Sequence, residues 1–444
     1  MDKIPQQWLA RLSLLFALAA VVVLAAFAGL KSIPMLVVAL VAAVLSVATA
    51  FLFLSRRGVI RWLSLLVFIA TPVAVLVVYA LAGLLWVAVV SAGAWGLAGA
   101  SARLALARDH EDWRMPERPA EPPARHPYLI MNAKSGGGKV AKFDLKRKAE
   151  ELGAEVFLID GSEPVDVAQL ARDAVAHGAD LLGVAGGDGT QALAAGVAAH
   201  YGIPFMVVSA GTRNHFALDL GLDRNDPAAC LAALADGVEL HVDLGLIADR
   251  TFVNNASFGA YAEVVQTPAY RNDKLGTTLD LLPDLLQGHR GARLTAHAAG
   301  REIEAPQALL VANNPYGTGD IAGLGRRARL DHGTLGVIGV NVGSARQAVD
   351  LLRGAHSAGL SAVTAKKIEV TADAAEIPVG IDGEAVSLAT PVECVIRPCA
   401  LRVWVPRERP GVPRPKPAVN WARLWRLARP RWSAWPREQQ RPHQ

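Results

Sequence analysis

Apolar residues fill most of the first hundred positions, and this limits the fold more than any other feature. Residues 9–30 are an almost unbroken run of Leu, Ala, Val and Phe; a second run extends from Pro34 to Leu54, and a third from about Ile60 to Ala100. A helix needs about 20 apolar residues to cross the hydrocarbon core of a bilayer. The first two runs have that length. The third is too long for one crossing and divides near Ala80 to Gly83, so four transmembrane helices are expected. A cleaved signal peptide is the rival reading for the first run, and it is weakened because the apolar segment is too long and further runs follow it. The composition agrees, with 52% hydrophobic residues and a mean hydropathy of +0.28.

Flanking charge sets the expected orientation. Lys3 and Arg11 lie at the start, Arg56, Arg57 and Arg61 crowd the second loop, and Arg103 and Arg108 follow the last run. Lys31 stands alone in the first loop and the third has no charge. Lys and Arg mark the cytoplasmic side. The N-terminus, the second loop and the rest of the chain are therefore expected there, in a multi-pass protein of the cell membrane. The net charge of +5 suits an anionic bilayer surface or a phosphate-bearing substrate. The sequence carries no nucleic-acid-binding module, and no nucleic-acid partner is expected. Cys230, Cys394 and Cys399 are odd in number and scattered, which fits a reducing compartment without a disulfide framework. Residues 109–126 turn charged and then Pro-rich, and read as a linker.

Beyond the linker, short apolar strands alternate with helical stretches, as in a parallel sheet covered by helices. A basic helix is expected from Lys142 to Gly153 and another helix from Val165 to Gly178. Three strands end in polar or glycine-bearing loops. Tyr128–Met131 runs into Asn132-Ala133-Lys134-Ser135-Gly136-Gly137-Gly138-Lys139. Asp180–Ala185 runs into Gly186-Gly187-Asp188-Gly189-Thr190, and Thr190 is placed to cap the next helix. Pro204–Val208 runs into Gly211-Thr212-Arg213-Asn214-His215-Phe216-Ala217. Loops at the carboxyl ends of parallel strands form the ligand crevice of open α/β sheets, and a glycine turn before a helix N-terminus suits phosphate.

Asn-x-x-Ser-Gly, Gly-Gly-Asp-Gly-Thr and Gly-Thr-x-Asn-x-Phe-Ala, in this order, resemble the diacylglycerol kinase catalytic family of lipid kinases. Sphingosine and ceramide kinases are similar, and the resemblance covers roughly residues 127 to 405. It implies ATP and Mg²⁺ as cofactors. Asn132, Ser135, Gly136, the turn Gly186, Gly187, Gly189 and Thr190, and Gly211, Thr212 and Asn214 would hold ATP, while Lys134, Lys139 and Arg213 neutralise its phosphates. Asp188 would organise Mg²⁺ through water. His215 departs from the pattern, because many members have Asp there.

From about Leu240 the pattern changes to short alternating segments with Gly and Asn turns, which reads as a mainly antiparallel domain. The resemblance implies a β-sandwich that completes the active cleft. It also implies that Glu384, in Asp382-Gly383-Glu384, is the general base. Asp331 lies in a turn where some members bind a structural Mg²⁺, although His332 replaces the usual acid beside the glycine. Leu275, Leu279, Leu282 and Leu286 recur at helical spacing, as a core-facing stripe would.

The expected organisation is thus an all-α transmembrane bundle over 1–108 and a linker over 109–126. An α/β parallel-sheet nucleotide-binding domain follows over 127–239, then a β-sandwich over 240–405 and a basic Trp-, Arg- and Pro-rich tail over 406–444. The expected activity is transfer of phosphate from ATP to a membrane lipid, diacylglycerol first among the acceptors, with room for a homodimer. A NAD kinase-like enzyme and a non-catalytic, membrane-tethered lipid or nucleotide binder are the alternatives.

Overall fold

A computed structural model describes residues 6–28, 32–56, 58–107, 115–259, 262, 292–316, 326–327, 329–341, 360–412 and 421–428. The chain forms two compact units. One comprises Met1–Ser46, Val67–Glu111 and Pro415–Gln444, and the other Val47–Leu66 and Asp112–Arg414.

The apolar runs are helices: α1 (Gln6–Ala28), α2 (Ser32–Ser55), α3 (Val59–Leu81) and α4 (Leu85–Ala107). The third run divides where the sequence suggests, between Leu81 and Leu85. Three of the four contain a span long and apolar enough to cross a membrane, whereas the qualifying stretch of α2 is the shorter Val37–Phe53. α1 and α4 run antiparallel, with Ser13 donating to the Ala98 carbonyl (2.9 Å) and Ser91 to the Ala20 carbonyl (3.2 Å). Small residues at the contact let the backbones approach, as in helix packing within lipid. The outward faces are bare hydrocarbon side chains; Leu18 is 60% exposed and Leu66 64%. Such surface is costly in water and suits a bilayer.

The tail contributes a helix. This helix (Trp421–Ala428) buries Leu424 against α1 and α4, stacks Trp421 edge-on against Trp95, and accepts from Arg11 at the Ala428 carbonyl (3.0 Å).

In the second unit a short strand β1 (Arg118–Pro119) precedes the α/β region. β2 (Pro127–Asn132), β3 (Glu155–Ile159), β4 (Leu181–Ala185) and β5 (Phe205–Val208) pair in parallel in the order β5-β4-β2-β3. β4 and β5 are buried throughout, which explains their continuous apolar sequence. The expected basic helix is instead two, α5 (Lys139–Lys142) and α6 (Leu145–Glu151). The break falls at Asp144, whose φ of 53° is left-handed and ends an α-helix. α7 (Val167–Ala176) is capped by Asp166, which accepts from the Gln169 amide. α8 (Asp188–Tyr201) starts earlier than Thr190 suggests, with Gly187 at the cap position and Thr190 within the first turn. A short α9 (His215–Asp219) follows the third loop.

The antiparallel half contains β6 (Gly237–Ile247), β7 (Arg250–Phe252), β8 (Asn255–Gly259), β9 (Leu294–Ala298), β10 (Arg301–Glu304) and β11 (Ala308–Asn313). β12 (Leu335–Val340), β13 (Leu360–Ala365), β14 (Lys367–Ala372), β15 (Glu376–Ile381), β16 (Glu384–Ala389) and β17 (Val392–Pro406) complete it. β13-β12-β11-β8-β15-β16 form one sheet. β9, β10, β14 and β17 face it across a core that includes Phe252, Phe258, Leu309, Val370 and Val379. This is the expected sandwich. The expected boundary at 239/240 does not interrupt the hydrogen bonding. The end of β17 pairs in parallel with β5, Val403 opposite Phe205, so one sheet runs from the α/β half into the sandwich. The stripe of Leu275, Leu279, Leu282 and Leu286 lies outside the described residues.

Candidate active site

The three glycine-bearing loops meet backbone to backbone. Gly136 has a left-handed φ of 56°, and a Cβ there would collide with the Ala210 carbonyl. A Cβ on Gly211 would lie 2.7 Å from the Gly186 carbonyl oxygen and 3.0 Å from the Gly187 Cα. Only glycine permits such approaches. Asn132, Ser135, Gly136, Gly186, Gly187, Gly189, Thr190, Gly211, Thr212 and Arg213 are thereby brought into one cluster of loops, next to the N-terminus of α8. Glu384, almost two hundred residues further on, is exposed and joins this cluster. A Cβ on Gly189 would collide with its carboxylate.

Other expected residues are committed elsewhere. Asn214 is buried with a φ of 51°; its Oδ1 accepts from the Gly211 amide (2.8 Å) and its Nδ2 donates to the Ser209 and Gly211 carbonyls (2.8 Å each). It shapes the third loop from within and has no reach left for a nucleotide. Lys139 donates to the Arg224 carbonyl (2.8 Å) and to the Ser209 carbonyl (3.5 Å), at the start of the third loop. The Lys134 ammonium rests over Gly161, where a Cβ would lie 2.7 Å from it. Asp331 is gripped by Arg329 through two hydrogen bonds of 2.8 and 2.6 Å. That pairing, and His332 beside it, does not fit a metal site.

Asp188 is half-buried at the start of α8, and its carboxylate accepts from the backbone amides of His215 (3.2 Å) and Phe216 (3.3 Å). These amides open α9 and lack partners within that helix. Burial lowers the His215 pKa, and the nearby Asp188 charge opposes that shift. Among the described residues no group of three or more metal-ligating side chains is preformed. Mg²⁺ commonly takes one or two carboxylates and fills its remaining positions with water and substrate phosphate, so a half-buried Asp188 beside the glycine-bearing loops fits that ion. A cavity of about 520 Å³ opens beside His215, between Leu218, Asp223, Arg224 and Arg326.

Two features escaped the sequence reading. Asp382 has a φ of 48°, and its carboxylate accepts from the amides of Val253 (2.8 Å), Asn254 (2.8 Å) and Asn255 (3.0 Å). Burial, helped by the Asp188 charge, pushes its pKa up to about 7 against the pull of those amides. β7 stops at Phe252, and the residues that follow it turn their amides onto Asp382. Arg327 is fully buried, 0% exposed, and bonded to Asp219. In sequence it belongs to a basic Gly-Arg-Arg-Ala-Arg run that looks solvent-facing. The available signal was Asp219, a lone carboxylate in the apolar stretch Phe216-Ala217-Leu218-Asp219-Leu220.

Known proteins match the same region. Residues 126–247 match the sequence profile of the diacylglycerol kinase catalytic domain. A diacylglycerol kinase of Mycobacterium tuberculosis is 34% identical over 122 residues, 27% of this chain and 40% of its own length. A diacylglycerol kinase of Bacillus subtilis is 30% identical over 165 residues, 36% of this chain and 53% of its own length. The chain thus spans less than two thirds of the length of either. A Bacillus anthracis crystal structure, provisionally named diacylglycerol kinase, superposes with a TM-score of 0.51 at 20% identity, covering 64% of this chain and 98% of that one. The last match speaks to the fold alone. Together, the loop motifs, the matched profile and these relatives show that residues 126–247 are similar to the diacylglycerol kinase catalytic domain.

Proposed function

We propose that the chain is an ATP-dependent lipid kinase that phosphorylates the hydroxyl of a membrane lipid, with diacylglycerol as acceptor and phosphatidic acid as product. The observation that carries this reading is the Glu384 carboxylate lying against Gly189 of the glycine turn. An acid with no place in a phosphate cradle has one beside an acceptor hydroxyl. The three loops and the N-terminus of α8 bind the triphosphate through backbone amides. The lipid hydroxyl gives its proton to a Glu384 oxygen as its own oxygen bonds to the γ-phosphorus. The bond from that phosphorus to the β–γ bridging oxygen breaks, and ADP leaves. Positioning and charge stabilisation supply most of the rate in such transfers. Asp188 would hold Mg²⁺, directly or through water, and that ion would neutralise phosphate charge. Apolar helices long enough to cross a membrane support an acceptor that resides in the bilayer, and the Lys and Arg of the flanking loops support a cytoplasmic location for the kinase module.

The purified full-length chain in lipid vesicles, given γ-labelled ATP and a panel of diacylglycerol, sphingoid base, ceramide and NAD, tests the reading. Label should appear in phosphatidic acid. Label in NAD phosphate would mean a NAD kinase, and label in no acceptor would mean a binder. Glu384→Gln should lower kcat by about 10²- to 10⁴-fold, the usual worth of a general base, and leave ATP affinity unchanged.

A further inference from the structure

We infer that Arg327 is a positioning residue that sets Glu384 relative to Asp188, as the buried centre of a chain of hydrogen bonds that links the two halves of the second unit. The links are hydrogen bonds, except for the two-residue step from Asp382 to Glu384 and the close approach of Glu384 to Gly189. The Asp188 carboxylate is held by the first amides of α9, those of His215 and Phe216. One turn further on, α9 ends at Asp219, which accepts from the Arg327 backbone amide (3.0 Å) and from its Nε (2.6 Å). The same guanidinium reaches into the sandwich. One terminal nitrogen donates to the Val253 carbonyl (2.8 Å) and the Asn313 carbonyl (2.6 Å), and the other to the Asn254 side-chain oxygen (2.7 Å). Arg327 thus holds the carbonyl side of the Val253–Asn254 turn. Asp382 holds the amide side of that turn, and Glu384 follows it by two residues. Glu384 then meets Gly189, one residue after Asp188, and these links close into a ring.

The chemistry of the guanidinium explains why this position needs arginine. Its planar fork offers donors in several fixed directions, and only a fork can serve a carboxylate on one side and strand-end oxygens on the other. Lysine would keep the charge beside Asp219 but could not span both halves. A buried ion pair adds little stability over apolar packing, so its value here lies in fixing geometry. A displacement of about 1 Å at a reacting group can cost about 100-fold in rate.

For its activity arm the inference rests on the kinase reading. Full-length Arg327→Lys should fold, keep its affinity for ATP within about threefold, and lose on the order of 100-fold in kcat. Val370→Ala, a cavity in the sandwich core away from the ring, is the stability control: at a comparable drop in Tm it should keep kcat within about threefold of wild type. If Arg327→Lys does not fold, Asp219→Glu carries the same test, because it keeps the charge and changes the span. Full kcat in the ring variant, an equal loss in Val370→Ala, or a parallel loss of ATP affinity would overturn the inference. Hydrogen exchange gives a reading that needs no turnover. In Arg327→Lys the amides of His215 and Phe216 and those of Val253, Asn254 and Asn255 should exchange faster together. If the wild type transfers phosphate to no lipid, the kinase reading fails, and the ring is decided by exchange alone; protection unchanged in either set of amides overturns it.

Discussion

Asp382 shows how one carboxylate can hold a turn and also make it sensitive to pH. It gathers three backbone amides, which favours the ionised form, yet burial and the Asp188 charge outweigh them and its pKa stands at about 7. An unfolded aspartate releases its proton near pH 3.8. Between those values the folded chain binds a proton that the unfolded chain has lost, so this group's contribution to stability falls as pH rises from about 4 to about 7. The wild-type Tm should therefore decline across that interval relative to Asp382→Asn, which cannot titrate. Parallel curves for the two proteins would place the titration on another group. Asn214 makes the complementary point. Its amide is as well satisfied as any in the structure, and for that reason it builds the loop and leaves ligand contact to its neighbours.

At the scale of elements, the site depends on where glycine replaces a side chain. Gly189 lies in the first turn of α8 without a left-handed φ, so its use there is not conformational. Alanine would favour the helix by about 1 kcal/mol. The new methyl would instead meet the Glu384 carboxylate, the mobile end of a long side chain, which would have to move. Gly189→Ala should therefore unfold at the same or a higher temperature than wild type while its kcat drops by about 10- to 100-fold. Activity retained alongside raised stability would show that the Glu384 approach to the turn has no catalytic weight. Gly136 differs, because its φ is left-handed and its neighbour is a backbone carbonyl that cannot yield. There the same substitution should lower stability and ATP affinity together.

At the scale of the whole chain, the Lys and Arg of the loops predict that the second unit lies on the cytoplasmic side of a bilayer. The cysteines offer a direct measurement. Cys230 and Cys394 are buried, whereas Cys399 is exposed. Burial still raises the Cys399 pKa somewhat, so labelling should be run at mildly alkaline pH to populate the thiolate. A membrane-impermeant maleimide should label Cys399 in inverted membrane vesicles and leave it unlabelled in intact cells. Labelling in intact cells would reverse the orientation drawn from the Lys and Arg of the loops.

Much of this protein could be read from its residues in order. Apolar length and a break near Ala80 to Gly83 were enough for four helices, because crossing hydrocarbon is a demand that each segment meets alone. The parallel strands and glycine loops were legible for a similar reason, since strand, turn and helix N-terminus are local neighbours in the chain. The Asp144 break, the true start of α8 and the occupation of Asp331 by Arg329 depended on backbone angles and partners that spacing does not encode. What tertiary structure alone decided is the meeting of distant residues. Arg327 reads as a surface cation until Asp219, Asn254 and Asn313 surround it. Glu384 is an acid in a turn until β15 and β16 carry it to Gly189. Desolvation and hydrogen-bond geometry create those relationships, and both arise only once the chain has packed.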